Sequence, residues 1–536
     1  MTELNDALTA IIEDLDLAPE ASAAVDAEVG AHVADLRLDD GTVDETHVPY
    51  VTIDNPDSRD LDQAVHVAPR DGGWTVRYAI ADAAFYVPVG SALWQRSVAQ
   101  GSSYYLPGRA IPMLPIEMSE GIVSLNPDVD RRAVRFAMDV DADGQCTDVR
   151  VARIRMRSRG KLSYEGVQAW LDARSTYEAG RVDAAVALHD GVEPSLCALR
   201  EVGEALLAAA QARDTTPIDR VESSIDVDPD DPTRLRVTAR ERLDVERYNE
   251  QISLLFNIEG ARVLERLSRS TQDVQAVYRV HLPPLTERLD SLAQILDALA
   301  RRRALDDAWT WRRGAGELGD FVRALPDGGA TRRLRRAVHR QVRYTFRSSA
   351  YRSRSGPHHA LGVDGYVRLS APMREVVGVF THKELAEGLG WAPPHAADED
   401  ALTRDAVIAA AQRSRQTQRA VDKQIELLAI RQMFDADLAS PRGERPRRLA
   451  TVIGVRSSRL YVALDGFALD VKIYVQDLAA QLGTELTEVD DVALIDADGR
   501  ARFVLGDGVA VQVERWDGGR QRFVLRAERL ADAGGD

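Results

Sequence analysis

The sequence predicts an α+β chain in which a mixed sheet with long helices is followed by a small C-terminal β-barrel of the OB type. Three observations carry this reading. Short alternating runs with turn signals fill the stretch from about 47 to 160, helix-period patterns dominate 163–434, and close-spaced alternation returns after 447.

Residues 1–46 are rich in Ala and acids and read as one or two short helices ending at the turn Asp39–Gly41. Strands are predicted at Pro49–Asp54, Ala64–Val67 and Trp74–Val87, the last two joined by the hairpin turn Arg70–Gly73. Phe136–Val140 and Thr147–Arg155 flank a further turn at Asp141–Gln145. The clearest helical patterns are Tyr164–Leu171, Val182–Gln211, Glu246–Arg269, Thr286–Arg303 and Arg404–Met433. A Pro- and Arg-containing linker at Ala439–Pro446 then separates residues 47–440 from residues 447–536. Beyond it, Leu449–Val455, Leu460–Leu464, Ala468–Val475, Val492–Ile495, Val509–Arg515 and Arg522–Arg526 are the strands of the expected barrel.

The chain has 536 residues, 45% of them hydrophobic and 29% charged, enough for two to four units with sizeable cores. Its two cysteines, Cys146 and Cys197, have no metal-ligand spacing and suit a reducing compartment. The acidic N-terminus does not resemble a signal peptide, and no apolar run reaches the length of a membrane span. A cytoplasmic protein is the expectation.

The net charge of −17 is unevenly placed. Residues 1–62 carry 17 acids against two arginines, whereas residues 301–354 carry 15 arginines against five acids. An acidic centre with a basic block suits a metal-loaded nuclease; solvated helix faces are the plainer reading of the arginines.

The informative segment is Val51-Thr-Ile-Asp54-Asn-Pro-Asp57-Ser-Arg-Asp60-Leu-Asp62-Gln63, with four aspartates in nine positions. Carboxylates this close repel, and a hard cation with oxygen ligands is the usual compensation. Taken alone, the cluster fits a solvated acidic loop, a Ca²⁺ loop or a Mg²⁺ phosphoryl-transfer site.

Its neighbours narrow the choice. Tyr105-Leu-Pro-Gly-Arg-Ala-Ile-Pro-Met-Leu-Pro115 and Glu117-Met-Ser-Glu-Gly-Ile-Val-Ser-Leu-Asn-Pro127 follow it, then Arg159–Tyr164, Tyr278-Arg-Val-His281, and Gly365-Tyr-Val-Arg-Leu-Ser-Ala-Pro-Met-Arg374 with His382. In this order the motifs resemble the RNB-type catalytic domain of the ribonuclease II / ribonuclease R family over residues 47–435, and 449–529 is similar to the S1-type barrel that closes such proteins. The resemblance implies a processive 3′→5′ exoribonuclease that hydrolyses single-stranded RNA to nucleoside 5′-monophosphates. It implies Mg²⁺ or Mn²⁺ at Asp54, Asp60, Asp62 and position 63. Asp60, Asp62 and Arg374 would be catalytic, with Arg374 neutralising charge on the phosphoryl oxygens. Tyr105 would stack on bases, and Arg374, Glu250 and His382 would contact RNA. A monomer is implied, with no protein partner named.

Three departures qualify this. Gln63 stands where the family carries a fourth aspartate, bringing a carbonyl ligand but no charge. The paired acids of a central helix read Asn249-Glu250-Gln251, keeping one carboxylate. Only about 46 residues precede the catalytic segment, leaving no room in this chain for the family's N-terminal cold-shock barrels. The rival expectation is therefore a catalytically impaired RNA-binding or scaffold protein of the same fold.

Overall fold

The computed structural model describes residues 3–17, 22–178, 191–213, 215–216, 222–271, 273–329, 331–467 and 469–530. Helix α1 (Glu3–Asp14) carries Leu4, Leu8 and Ile11 at helical spacing, and all three are buried. Helix α2 (Ala23–Ala34) follows, then strands β1 (Val43–Asp44), β2 (Tyr50–Asp54), β3 (Gln63–Arg70) and β4 (Gly73–Ala81). The strand predicted over Trp74–Val87 stops at Ala81. There the buried Asp82 turns the chain, held by Arg153 at 2.8 Å and Arg132 at 3.4 Å, and the short helix α3 (Ala83–Tyr86) begins.

Helix α4 (Ala92–Gln100), the hairpin β5 (Tyr104–Leu106) and β6 (Arg109–Ile111), and a π-helical turn at Glu117–Ile122 lead to β7 (Asp130–Asp141) and β8 (Cys146–Ser163). Strand β8 bends: its first part pairs antiparallel with β7, and Ser158–Ser163 pairs parallel with β2. The pairings thus run β2–β3–β4–β7–β8 and return to β2, with β1 added alongside β8. This sheet closes on itself and leaves Asp54 beside Ser163.

Helices α5 (Tyr164–Glu178) and α6 (Val192–Ala212), the hairpin β9 (Glu222–Val227) and β10 (Leu235–Arg240), and α7 (Asp244–Ser270) come next. The helix predicted over Val182–Gln211 starts at Val192 among the described residues; its earlier part lies outside them. Gly203 lets α6 and α7 touch closely, since a Cβ there would sit 2.5 Å from the Tyr248 ring. Strand β11 (Tyr278–Val280), α8 (Thr286–Arg303), α9 (Leu318–Ala324), α10 (Arg332–Thr345), β12 (Ala350–Arg352), α11 (Val376–Gly388) and the 43-residue α12 (Ala397–Ala439) complete this part. At 1.5 Å per residue α12 is about 65 Å long. It is in contact with the β5–β6 hairpin, β9, β10, β12 and the C-terminal sheet.

The C-terminal strands correct the expectation of a barrel. Strands β13 (Arg448–Arg456), β14 (Arg459–Leu464) and β15 (Asp470–Tyr474) precede helix α13 (Val475–Leu482), and β16 (Leu486–Val489), β17 (Ala493–Asp496), β18 (Ala501–Val504), β19 (Gly508–Asp517) and β20 (Arg522–Arg529) follow it. They form an open five-stranded sheet, β15-β14-β13-β19-β20, and a separate meander, β16-β17-β18. The two edge strands β15 and β20 touch but share no hydrogen-bonded ladder, and helix α13 packs against both. The Gln481 amide takes the hydrogen bonds a neighbouring strand would take, donating to Ala527 O at 3.0 Å and accepting from Ala527 N at 3.1 Å. The edge is covered by a helix and the sheet stays open.

The basic block at 301–354 is mostly spent inside the molecule. Arg333 and Arg336 reach Asp465 at 2.8 and 3.2 Å, Arg303 binds Asp507 and Arg340 binds Asp470. Arg312 and Arg313 pair with Asp297 and Asp290 at 3.1 Å each. Arg303, Arg333, Arg336 and Arg340 fasten α8 and α10 to the C-terminal strands, Arg312 and Arg313 bind back to α8, and Val492, Ala493, Val504 and Leu505 share a hydrophobic core with both helices. No helix among the described residues is long and apolar enough to cross a membrane.

Candidate active site

Asp54 ends β2, and an eight-residue loop returns the chain to β3 at Gln63. Asp54 Oδ1 accepts from Asn55 N at 2.8 Å and Ser58 Oγ at 2.9 Å, which holds the start of the loop. Ser124 pins the far end of the loop, its Oγ donating to Arg59 O at 2.8 Å and accepting from Leu61 N at 3.0 Å. Leu61 is buried, and its burial carries Asp62 inward.

Asp62 is 1% exposed. Arg374 Nε donates to its Oδ2 at 2.6 Å, and Met373 N donates to its Oδ1 at 3.3 Å. Burial raises the Asp62 carboxyl to about 6; Arg374 opposes the shift and Asp60 reinforces it. Asp60 is raised too, by burial first, against the pull of Arg374 and with repulsion from Asp54 and Glu120. Arg374 is driven further above its ordinary value by Asp62. Several carboxylates thus converge on one guanidinium, an arrangement short of positive charge. The donors are hard oxygens, which fit a divalent cation such as Mg²⁺ or Mn²⁺.

Position 63 fits less well. The Tyr78 hydroxyl donates to Gln63 Oε1, and Gln63 Nε2 donates to Ile53 O at 3.5 Å. Burial pushes the Tyr78 phenol above its ordinary range, so it keeps its proton. The one oxygen that Gln63 could offer a metal is already an acceptor.

Beside the Asp62–Arg374 pair opens a cleft of about 280 Å³. Arg279, Arg368, Arg374 and Arg415 line it, with Glu375, Tyr351 and Tyr105. Glu375 accepts from Arg368 Nε at 2.9 Å and Tyr351 OH at 2.7 Å, and despite its burial Arg368 and these bonds hold it down to about 2. With Arg374 engaged by Asp62, three further guanidiniums face one glutamate, an excess of positive charge suited to an anion. Tyr105 stands on the β5–β6 hairpin with 45% of its surface exposed, its backbone tied to Gln418 on α12.

The structure gathers Asp54, Asp60, Asp62, Gln63, Arg374 and Tyr105 into one region and leaves two sequence candidates aside. Glu250 is exposed on α7 and pairs with Arg242 at 2.8 Å. His382 is 2% exposed, its Nε2 donating to Leu369 O at 2.8 Å, which makes it a support for the 365–374 segment inside the core. The cleft arginines 279, 368 and 415 were not singled out by the sequence, although two of them sit in motifs it displayed. Tyr164, bonded to Asn249 Nδ2 at 3.1 Å and influenced by Asp54, was likewise seen only as part of a motif.

A second acid-rich group lies at the other end of α11. One ligand atom each from Glu387, His395 and Asp400 lies within 4.8 Å of the others, a candidate divalent-metal site. Lys383 already bonds to Asp400, to Glu384 at 2.8 Å and to Glu387 at 3.0 Å, so an ammonium balances much of that charge.

The RNB domain model matches residues 43–389, well over half of the chain. The chain belongs to the RNB family. This RNB protein is 27% identical over 373 residues to a ribonuclease R of Vibrio cholerae, covering 67% of this chain and 42% of the relative. It is 27% identical over 364 residues to an exoribonuclease 2 of Photorhabdus laumondii, covering 66% of this chain and 52% of the relative. The chain therefore spans about half the length of these curated relatives. Its fold matches Mycoplasma genitalium RNase R in complex with ribose-methylated single-stranded RNA, with a TM-score of 0.80, 20% identity, and coverage of 97% of this chain and 77% of that one. Yeast Ssd1, a pseudonuclease, is matched with a TM-score of 0.65 and 15% identity over 95% of this chain and 58% of that one.

Proposed function

We propose that this RNB protein is a 3′→5′ exoribonuclease that hydrolyses single-stranded RNA to nucleoside 5′-monophosphates with Mg²⁺ or Mn²⁺. The observation that carries the reading is the pair of buried Asp62 with partly exposed Arg374 at the head of an arginine-lined cleft with an exposed tyrosine at its side. Asp54, Asp60 and Asp62 would hold the metal, with Gln63 Oε1, which already accepts from Tyr78, having one lone pair left to offer. A bound divalent ion supplies an activated water and stabilises the leaving oxygen. Arg374 neutralises charge on the phosphoryl oxygens, and ionised Asp62 keeps the guanidinium aimed at them. Arg279, Arg368 and Arg415 hold backbone phosphates in the cleft, and Tyr105 offers a face on which any base can stack. The protein would act as a monomer in the cytoplasm.

A second reading has its own observation: with Gln63 locked by Tyr78, the chain keeps the RNA cleft but lacks one acidic ligand. It would then bind RNA without cutting it. Incubation of 5′-labelled single-stranded RNA with Mg²⁺, Mn²⁺ or EDTA separates the two. The enzyme yields a metal-dependent ladder shortening from the 3′ end, absent in Asp62→Asn; RNA that is bound and intact in every metal favours the scaffold.

A further inference from the structure

A second cavity lies apart from the Arg374 cleft. It occupies about 370 Å³ at the junction of α10 with the C-terminal sheet and shares no lining residue with that cleft. Arg332, Arg333 and Arg336 come to it from the first turns of α10, and Thr451 and Asp465 from β13 and the end of β14. Thr451 Oγ1 donates to Asp465 Oδ1 at 3.0 Å, which fixes the carboxylate between Arg333 and Arg336. Two guanidiniums therefore share one carboxylate, and the third, of Arg332, lines the same cavity. Arg332 is exposed and has no carboxylate within ion-pair distance among the described residues.

The cavity is built into a closely packed junction. Gln341 Nε2 donates to Ile453 O at 2.7 Å, and a Cβ at Gly506 would meet Leu334 at 2.9 Å. At Gly329, on the rim, a Cβ would meet nothing within 4 Å, so the mouth is open. Among the described residues no aromatic side chain lines it. The lining thus suits a phosphate ester recognised by charge and guanidinium geometry, with no means of reading a base. In a chain of net charge −17, a fixed excess of arginines is a place where a polyanion can settle.

We infer that this cavity holds a backbone phosphate of single-stranded RNA outside the catalytic cleft, so that longer strands are bound at two points. The inference rests on the RNA reading given above. A strand too short to span both places gains nothing from the cavity, whereas a longer one gains through effective concentration.

The test compares 6- and 24-nucleotide single-stranded RNAs, with catalysis silenced by EDTA, on the wild type, Arg332→Glu and Gly329→Glu. Neither position carries a packing contact, and equal thermal melting of the three proteins checks their folding. The expected result is a gain in affinity with length for the wild type, about tenfold of it lost in each variant, with 6-mer binding unchanged. The log–log salt slope for the 24-mer falls by about one. Retention of the full length gain by both variants overturns the inference. So does binding of inorganic phosphate that is lost in the variants without any change in the length gain, which would make the cavity a free-phosphate site. If the wild type binds neither RNA, the functional reading itself fails.

Discussion

At the scale of single residues, the site is governed by how few positive charges meet its carboxylates. Asp62 has its proton affinity raised from 3.8 to about 6 by burial. Between those values the folded chain holds a proton that the unfolded chain has released, so this contribution to stability is full below pH 4 and lost as pH rises through 6. A divalent ion must displace that proton. Calorimetry of Mg²⁺ binding in two buffers of different ionisation enthalpy should show release of nearly one proton at pH 5 and almost none at pH 8. Equal release at both would mean that Asp62 is not among the ligands. Gln63 gives a second prediction. Gln63→Ala leaves the buried Tyr78 hydroxyl without its acceptor and should lower stability by about 1–3 kcal/mol in denaturant titration. Gln63→Asp adds a charge at the metal and should tighten Mg²⁺ binding about tenfold. The aspartates, Arg374 and Tyr105 were legible because each stands in an ordered motif. That Arg374 meets Asp62 across 312 positions of chain was not, since spacing says nothing about such a contact. His382 shows the converse: a motif position can serve the core, here through its bond to Leu369 O.

At the scale of elements, periodicity located six of the eight C-terminal strands, missing β16 and β18, and the barrel it was taken to imply is an open sheet. The C-terminal alternation gives the same two-residue pattern in an open sheet and in a barrel. The deciding element is α13, in a segment where the sequence reading placed no helix. Gln481→Ala removes both hydrogen bonds to Ala527 and should lower the stability of this region by about 1–3 kcal/mol, read as faster amide exchange in β20. Unchanged exchange would show that the helix covers the edge without holding it. Gly506 has φ +86° and lies against Leu334. Gly506→Ala should destabilise the junction by more than about 1 kcal/mol through strain and crowding together.

At the scale of the molecule, the charges of 301–354 were countable in the sequence while their partners were not. Asp465, Asp470 and Asp507 lie more than a hundred positions away and become partners only when the C-terminal strands fold back on α8 and α10. The basic channel instead draws on Arg279, Arg368, Arg374 and Arg415, dispersed along the chain and unremarkable by local count. Because Val492, Ala493, Val504 and Leu505 complete the core around α8–α10, the C-terminal strands and these helices should unfold together. Truncation after Ala439 should abolish the single cooperative transition seen by calorimetry; an unchanged transition for residues 1–439 would show that the shared core contributes little.

The central claim, that this site hydrolyses RNA with Gln63 in place of a fourth carboxylate, is tested most directly by a single-turnover experiment. Single-stranded RNA labelled at its last internucleotide phosphate is mixed with excess protein and Mg²⁺, and the released product is identified. The account predicts labelled nucleoside 5′-monophosphate, lost with EDTA and reduced at least a hundredfold, about 3 kcal/mol of barrier, in Asp62→Asn. Label that stays in full-length, protein-bound RNA with either Mg²⁺ or Mn²⁺ would contradict it.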